Sequence, residues 1–178
     1  TPIVHQMIDV GPMPEFENCQ HEIEYPILRD MDAMMYERQD WEKLEIGSYA
    51  HRPMVINPDD IPSIKAAKLS PTEMPFTEQD FEPQLKQARE LLPEMLNKDD
   101  LKIKYAINGL ISLTPDGELI LGETVEVKGL WSAAAVWIKE APGVGRLIAE
   151  WITHGTSEFD THEVDVSRFY DHARNEKF

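Results

Sequence analysis

The sequence predicts an α/β protein, α+β over the stretch present, built on an antiparallel sheet with flanking helices. Three observations carry that expectation. Between residues 3 and 49, short β-branched and apolar runs alternate with Gly, Pro and Asp turn residues, the pattern of consecutive short strands. Two later segments, starting near Thr77 and Pro142, repeat apolar residues at helical spacing. The 178 residues include 42% hydrophobic side chains, with 8 Met, 6 Phe, 5 Tyr and 4 Trp, enough material for a packed core.

Taken in order, residues 3–10 read as a strand closed by Gly11-Pro12 and Pro14, and residues 15–24 as an acidic loop. Strands are expected at 26–29, 34–38 and 44–49, the last two joined through residues 39–43. Residues 53–76 hold Pro53, Pro58, Pro62, Pro71 and Pro75, which have no N–H for a ladder, so a long irregular, functional or lid-like excursion is expected. Thr77 is placed to cap a helix with its hydroxyl, and Phe81, Leu85, Ala88, Leu92 and Met95 form its buried stripe until Pro93 kinks or ends it. A strand over 102–113, the turn Thr114-Pro115-Asp116-Gly117 and a return strand over 118–121 read as a hairpin. A strand over 129–137 leads to a second helix with Pro142 in its first turn, the stripe Val144, Leu147, Ile148, Trp151 and Ile152, and Gly155 as its stop. The charged tail from Thr156 reads as a linker, and there is no internal repeat.

The 33 acidic and 17 basic residues leave a formal net charge of −16, which disfavours phosphate backbones and anionic lipid as partners. The longest nearly apolar run, 130–138, is too short for a bilayer. Cys19 is the single cysteine, so neither an internal disulfide nor a multi-cysteine zinc site is expected, and a cytoplasmic setting is. The chain opens on Thr1-Pro2 and enters a strand at once, as a fragment of a longer chain would.

No catalytic motif stands alone. Glycine fingerprint, nucleophile elbow and His-Glu-x-x-His zinc site are all absent from the sequence. The six histidines lack metal-ligand spacing, so no metal is expected. Gly143-Val144-Gly145 is a weak anion-binding signal. By residue type alone, His5 reads as a core histidine, Tyr36 as a half-buried aromatic, and His51-Arg52-Pro53 as a strand end with a structural salt bridge or capping contact.

Read together, the pieces change that. Residues 109–117 with the Thr-Pro-Asp-Gly turn, Leu119 to Gly122, Leu130-Trp131, Ala133 to Ile138, the helix Gly143 to Ile152, and the ending Asp165-Val166-Ser167-Arg168-Phe169 resemble the glycine and sarcosine oxidase (DAO-type) family of FAD-dependent oxidoreductases. His5-Gln6 and Ile46 to Met54 are similar to segments of the bacterial members that oxidise dimethylglycine.

The resemblance implies a substrate-binding part over 1–104, a hairpin, strand and helix closing the FAD domain over 105–155, and a linker over 156–178. It also implies oxidation of an N-methyl amino acid by hydride transfer to FAD, with dioxygen reoxidising the flavin. N,N-dimethylglycine is the favoured substrate, ahead of sarcosine or 4-methylaminobutanoate. A covalently attached FAD with its phosphates in a preceding half is expected, and tetrahydrofolate in a following domain, both parts of the same polypeptide. His5 and Tyr36 match active-site residues that deprotonate and orient substrate. Tyr36, Val136, Trp137, Ile138 and Lys139 are implied flavin contacts, while Lys139, with Arg52 second, is implied to hold the substrate carboxylate. Glu37 and the pair Lys139-Glu140 depart from the family pattern and leave room for a non-catalytic regulatory relative.

Overall fold

The computed structural model describes residues 2–67, 70 and 72–170, and the chain divides into two compact units, Pro2–Ile111 and the part from Ser112 on.

The first unit is a seven-stranded sheet made by β1 (Pro2–Gly11), β2 (Leu28–Asp30), β3 (Met35–Asp40), β4 (Lys43–Ser48), β5 (Met54–Val55), β6 (Glu73–Met74) and β7 (Lys102–Ser112). Its order is β2-β3-β4-β1-β7-β6, with β5 also on β1. β1 runs antiparallel to β4 and β5, β3 to β2 and β4, and β6 to β7. Burial alternates strictly along β3, as the two-residue period of a strand requires when one face is covered. That covered face meets α1 (Glu78–Leu91) and the single turn α2 (Pro93–Leu96). Ile8, Val10, Met35, Leu44 and Ile46 of the sheet enclose one core with Phe81, Ala88 and Leu96. Leu92, preceding Pro93, leaves the helical region at φ −121° and ψ 59°, which separates the two helices as the proline predicts.

Three expectations change here. β3 extends to Asp40 instead of residue 38 and β4 is shifted one residue earlier, so that they meet at a two-residue turn, Trp41-Glu42, with Trp41 at φ 55°. Residues 53–76 are not wholly irregular, because they give β1 and β7 the short partners β5 and β6. Thr77 sits at the helix start, but its hydroxyl makes no capping bond to the helix backbone. Fully buried Gln6 of β1 takes that hydroxyl instead, accepts the Thr77 N–H at 2.7 Å and donates to the Thr77 carbonyl at 3.2 Å. A buried amide must be satisfied, and here it satisfies itself on the helix entry.

The second unit pairs β8 (Ile120–Glu123) with β9 (Trp131–Ala134) and packs α3 (Ala141–His154) on β8. The predicted hairpin is therefore corrected: the strand after the Thr114–Gly117 turn pairs forward with β9. Glu118 and Leu119, expected in that strand, are spent on the turn, where the Thr114 hydroxyl donates to Glu118 O at 2.8 Å. At Gly122, φ 113°, a Cβ would come within 3.0 Å of the Trp151 ring, so a glycine lets α3 approach. Leu147 is buried and Val144, Ile148 and Trp151 are half-buried, whereas Ile152 is exposed, so the stripe is narrower than expected. Gly155 closes the helix in the left-handed conformation at φ 77°, as predicted. The tail, read as a linker, is held to β8 as far as Tyr170: Leu121 N donates to Val164 O at 2.8 Å, and Arg168 grips Asp116 through Nε at 2.7 Å and Nη2 at 3.1 Å. Residues 171–178 of that stretch lie outside the described residues.

Candidate functional site

The face of the first sheet opposite α1 carries His5 and Tyr36, and strand register explains why they meet although β4 runs between their strands. Tyr36 of β3 stands opposite Gly47 of β4, which stands opposite Met7 of β1. His5 lies two residues before Met7, hence on the same face. Because Gly47 has no side chain, the Tyr36 ring lies flat across β4. A Cβ on Gly47 would overlap Cζ and the hydroxyl of Tyr36 and come within 2.6 Å of Cε2. The hydroxyl so placed reaches His5 Nε2 at 3.1 Å.

His5 Nδ1 is 3.2 Å from His51 Nε2, and His51 Nδ1 is 2.8 Å from the carbonyl oxygen of Arg52. That terminal carbonyl can only accept, which fixes every proton in the neutral chain. His51 donates from Nδ1 and accepts at Nε2, His5 donates from Nδ1 and accepts at Nε2, and Tyr36 donates its hydroxyl to His5. The oxygen of Tyr36 keeps its lone pairs for a further donor. Tyr49, just past β4, stacks on the His5 ring with centroids 4.2 Å apart and planes 11° from parallel.

Burial, and then the neighbouring His51, push the His5 imidazole down to about 4, so His5 is neutral at neutral pH. Burial, with the added repulsion of Tyr49 and Glu45, raises the Tyr36 phenol far above its ordinary value, so it keeps its proton. His5 and Tyr36 are therefore uncharged at neutral pH, in a hydrogen-bonded arrangement that can accept a proton at one end and release one at the other.

The other predicted site residues are placed as follows. Arg52 is exposed and holds Asp80, in the first turn of α1, through Nε at 2.8 Å and Nη2 at 3.0 Å, which is the salt bridge that a strand end leads one to expect. Val136, Trp137, Ile138 and Lys139 belong to the second unit, in the turn that enters α3. Glu140 folds back there, accepting the Trp137 N–H at 3.1 Å and pairing with Lys139 at 2.7 Å, while Ile138 is 95% exposed. The first turn of α3 carries no acidic side chain, and a Cβ at Gly143 or Gly145 would meet nothing within 4 Å. The amides of such a helix start favour negative charge, and Glu140 at the N-cap supplies one here. By residue type His51 reads only as part of a strand end, and Tyr49 and Gly47 carry no signal; Gly47 opposite an aromatic in paired strands is the signal that finds the arrangement.

The mixed α/β fold with its antiparallel sheet is a flavoenzyme-type fold. The chain belongs to the FAD dependent oxidoreductase family, whose model matches residues 1–151. It is 31% identical over 158 residues to 4-methylaminobutanoate oxidase (formaldehyde-forming) of Paenarthrobacter nicotinovorans, covering 87% of this chain and 18% of that protein. It is 28% identical over 178 residues to mitochondrial dimethylglycine dehydrogenase of Mus musculus, covering 94% and 19%. Among solved structures it is similar to L-proline dehydrogenase from P. horikoshii, with a TM-score of 0.65 at 20% identity over 94% of this chain and 40% of that one, which is a likeness of fold. The chain spans about a fifth of the length of these curated relatives.

Proposed function

We propose that the chain is the substrate-facing part of an FAD-dependent oxidase of N-methyl amino acids, with N,N-dimethylglycine the first substrate to test and sarcosine and 4-methylaminobutanoate next. The observation that carries this reading is the Tyr36-His5 hydrogen bond, held on the open sheet face by Gly47. FAD, when bound, supplies the hydride acceptor, and dioxygen restores it.

An amine gives up hydride only from its neutral form, whose lone pair is free to stabilise the electron-poor carbon. An alkylammonium, with a pKa near 10.4, is almost wholly protonated at neutral pH. The task of this chain's residues is thus to take one proton from the substrate nitrogen and to keep the cation disfavoured. The Tyr36 oxygen is the acceptor facing outward, and its own proton passes to His5 Nε2 as the new one arrives. Tyr36, His5 and Tyr49 bring no counter-charge to offset the water that a cation would lose, which favours the neutral amine further. Val136, Trp137, Ile138 and Lys139 with the start of α3 would hold the flavin. Lys139 is the first candidate for the substrate carboxylate, provided Glu140 releases it, and Arg52 the second, provided Asp80 does.

The test is anaerobic bleaching of the flavin in the full-length protein by each of the three amines. At least one bleaches it, and His5→Ala and Tyr36→Phe each slow that step by about tenfold or more, the range of lost acid-base help. Absence of bleaching by every amine removes the oxidase reading, and unchanged rates in both variants remove His5 and Tyr36 from the mechanism. Lys139→Ala raises KM for the amino acid; an effect confined to reaction with dioxygen moves Lys139 out of the substrate site.

A further inference from the structure

The hydrogen-bond chain does not end at His5. His51, whose ring comes from the segment after β4, closes it and stands at the edge of the sheet, half-exposed and anchored by the Arg52 carbonyl. Its position solves a difficulty in the oxidase reading, on which this inference rests. His5 is too weak a base to keep a proton taken from an ammonium, because burial and its neighbour oppose a charge on it. A group that cannot keep a proton can still conduct one, if a better carrier waits on its other side.

We propose that His51 is the positioning residue of this site: it fixes the tautomer of His5, and it takes the substrate proton onward to solvent. The transfer balances atom for atom. The ammonium N–H proton goes to the Tyr36 oxygen, the Tyr36 hydroxyl proton to His5 Nε2, and the His5 Nδ1 proton to His51 Nε2. The amine and Tyr36 end neutral, His5 ends neutral in its other tautomer, and the single positive charge ends on His51. There it has the Arg52 carbonyl on Nδ1–H and the Asp80 carboxylate nearby, whose own proton affinity is lowered by Arg52, Thr77 and His51. The charged and titratable groups facing the two rings are Tyr36 from β3, Tyr49 and Arg52 from beyond β4, and Asp80 at the start of α1; Glu45, Arg29 and Arg38 act on the Tyr36 end. The His51 end thus has the Arg52 carbonyl oxygen as acceptor and the Arg52–Asp80 ion pair beside it, at the half-exposed side from which the proton can leave.

The proposal has a readout that needs no turnover. In full-length protein labelled with nitrogen-15 histidine, with His5 assigned by its loss in His5→Gln, His5 shows the Nδ1–H tautomer. His51→Phe shifts it toward Nε2–H, while His51→Gln, whose amide oxygen can still accept from His5, keeps it. His5 found as Nε2–H in the native protein, or unaffected by His51→Phe, overturns the assignment.

The kinetic readout separates proton transfer from structure. Both His51 variants slow flavin reduction by about tenfold or more at pH 7, where the amine must be deprotonated, and this ratio falls to about twofold or less near pH 10, where much of the amine is already neutral. A ratio that does not change with pH makes His51 merely structural and overturns the proton-carrying role. If no amine bleaches the native flavin, the oxidase reading fails by itself, and the tautomer measurement still decides whether His51 sets His5.

Discussion

The two faces of the first sheet connect their buried polar groups differently. On the open face, His5 and Tyr36 are joined to each other and, through His51, to a backbone carbonyl, so each polar atom in the chain has a partner. On the face covered by α1, Gln6 and Gln39 are likewise satisfied, Gln39 by the N–H groups of Glu24 and Tyr25 and the carbonyl of Trp41. Glu37, two residues before Gln39 on the same face, is 2% exposed, and neither carboxylate oxygen has a partner. Its strand neighbours are Leu28 and Ile46. Burial, helped by Asp30, pushes its carboxyl up to about 7. The difference teaches that burial alone does not mark function here. Asp9 on the open face also leaves its Oδ1 without a partner, Lys43 holding only Oδ2 at 2.8 Å, so what distinguishes that face is that His5, Tyr36 and His51 are connected into one directed chain.

The most direct way to break the open face is to fill the gap that Tyr36 crosses. Gly47→Ala puts a methyl where the ring lies, and neither a paired backbone nor a ring fixed at both ends can yield cheaply. We expect a loss of about 1–3 kcal/mol in stability, typical of overpacking. Flavin reduction should fall by about a hundredfold, more than for Tyr36→Phe, because the ring leaves with its hydroxyl. Stopped-flow reduction beside thermal melts checks this. A Gly47→Ala enzyme that retains full reduction rate would show that Tyr36 does not need to cross β4, and the contrast between the faces would lose its basis.

The covered face is sharpened by two substitutions of similar chemistry and opposite sign. Gln6→Met removes the acceptor of the Thr77 N–H and hydroxyl, while the Thr77 carbonyl keeps the Asp80 N–H at 3.1 Å, so it should destabilise by about 1–3 kcal/mol. Glu37→Met replaces an unpartnered carboxyl by an apolar chain of similar length, so at pH 8 it should stabilise by about 1–3 kcal/mol. Denaturant unfolding of the full-length protein measures both. A destabilising Glu37→Met would mean that the carboxyl has a partner after all.

The legible part of this molecule is its local part. The strand at 3–10, the helix starting after Thr77, its break at Pro93, and the Pro142 and Gly155 ends of the last helix are each decided within a few residues, by period or by backbone-restricting side chains. The parts that were misread depend on partners distant in sequence. Residues 118–121 have the composition of a returning strand, but composition cannot choose between β7 behind and β9 ahead. Thr77 has the residue type of a cap, and only the arrival of Gln6 from 71 positions away diverts its hydroxyl. His5 and Tyr36 entered through family resemblance. Gly47, Tyr49 and His51, which make them a unit, lie together only once β3, β4 and β1 are registered.

The smallest expected effect is also the finest test of the two faces, because His5 and Glu37 push stability in opposite directions over the same pH range. His5 has its affinity for protons lowered by folding, from 6.5 to about 4, so the unfolded chain binds the proton first as pH falls. Its contribution is complete above pH 6.5 and is lost progressively down to about pH 4. Glu37 has its affinity raised, from 4.5 to about 7, so the folded chain binds the proton first. Its contribution is complete below pH 4.5 and is lost as pH rises to about 7. Between 4.5 and 6.5 the two slopes, each at most about 1.4 kcal/mol per pH unit, oppose one another. The stability difference between native protein and His5→Gln should therefore rise with pH across that window, and the difference between native protein and Glu37→Gln should fall across it. Each difference cancels the titrations that the two proteins share, so its slope belongs to one side chain. Slopes of the same sign would mean that one face has been given the wrong environment. A flat Glu37 difference would place that carboxyl in contact with water, and the covered face would lose the carboxyl whose two oxygens both lack a partner.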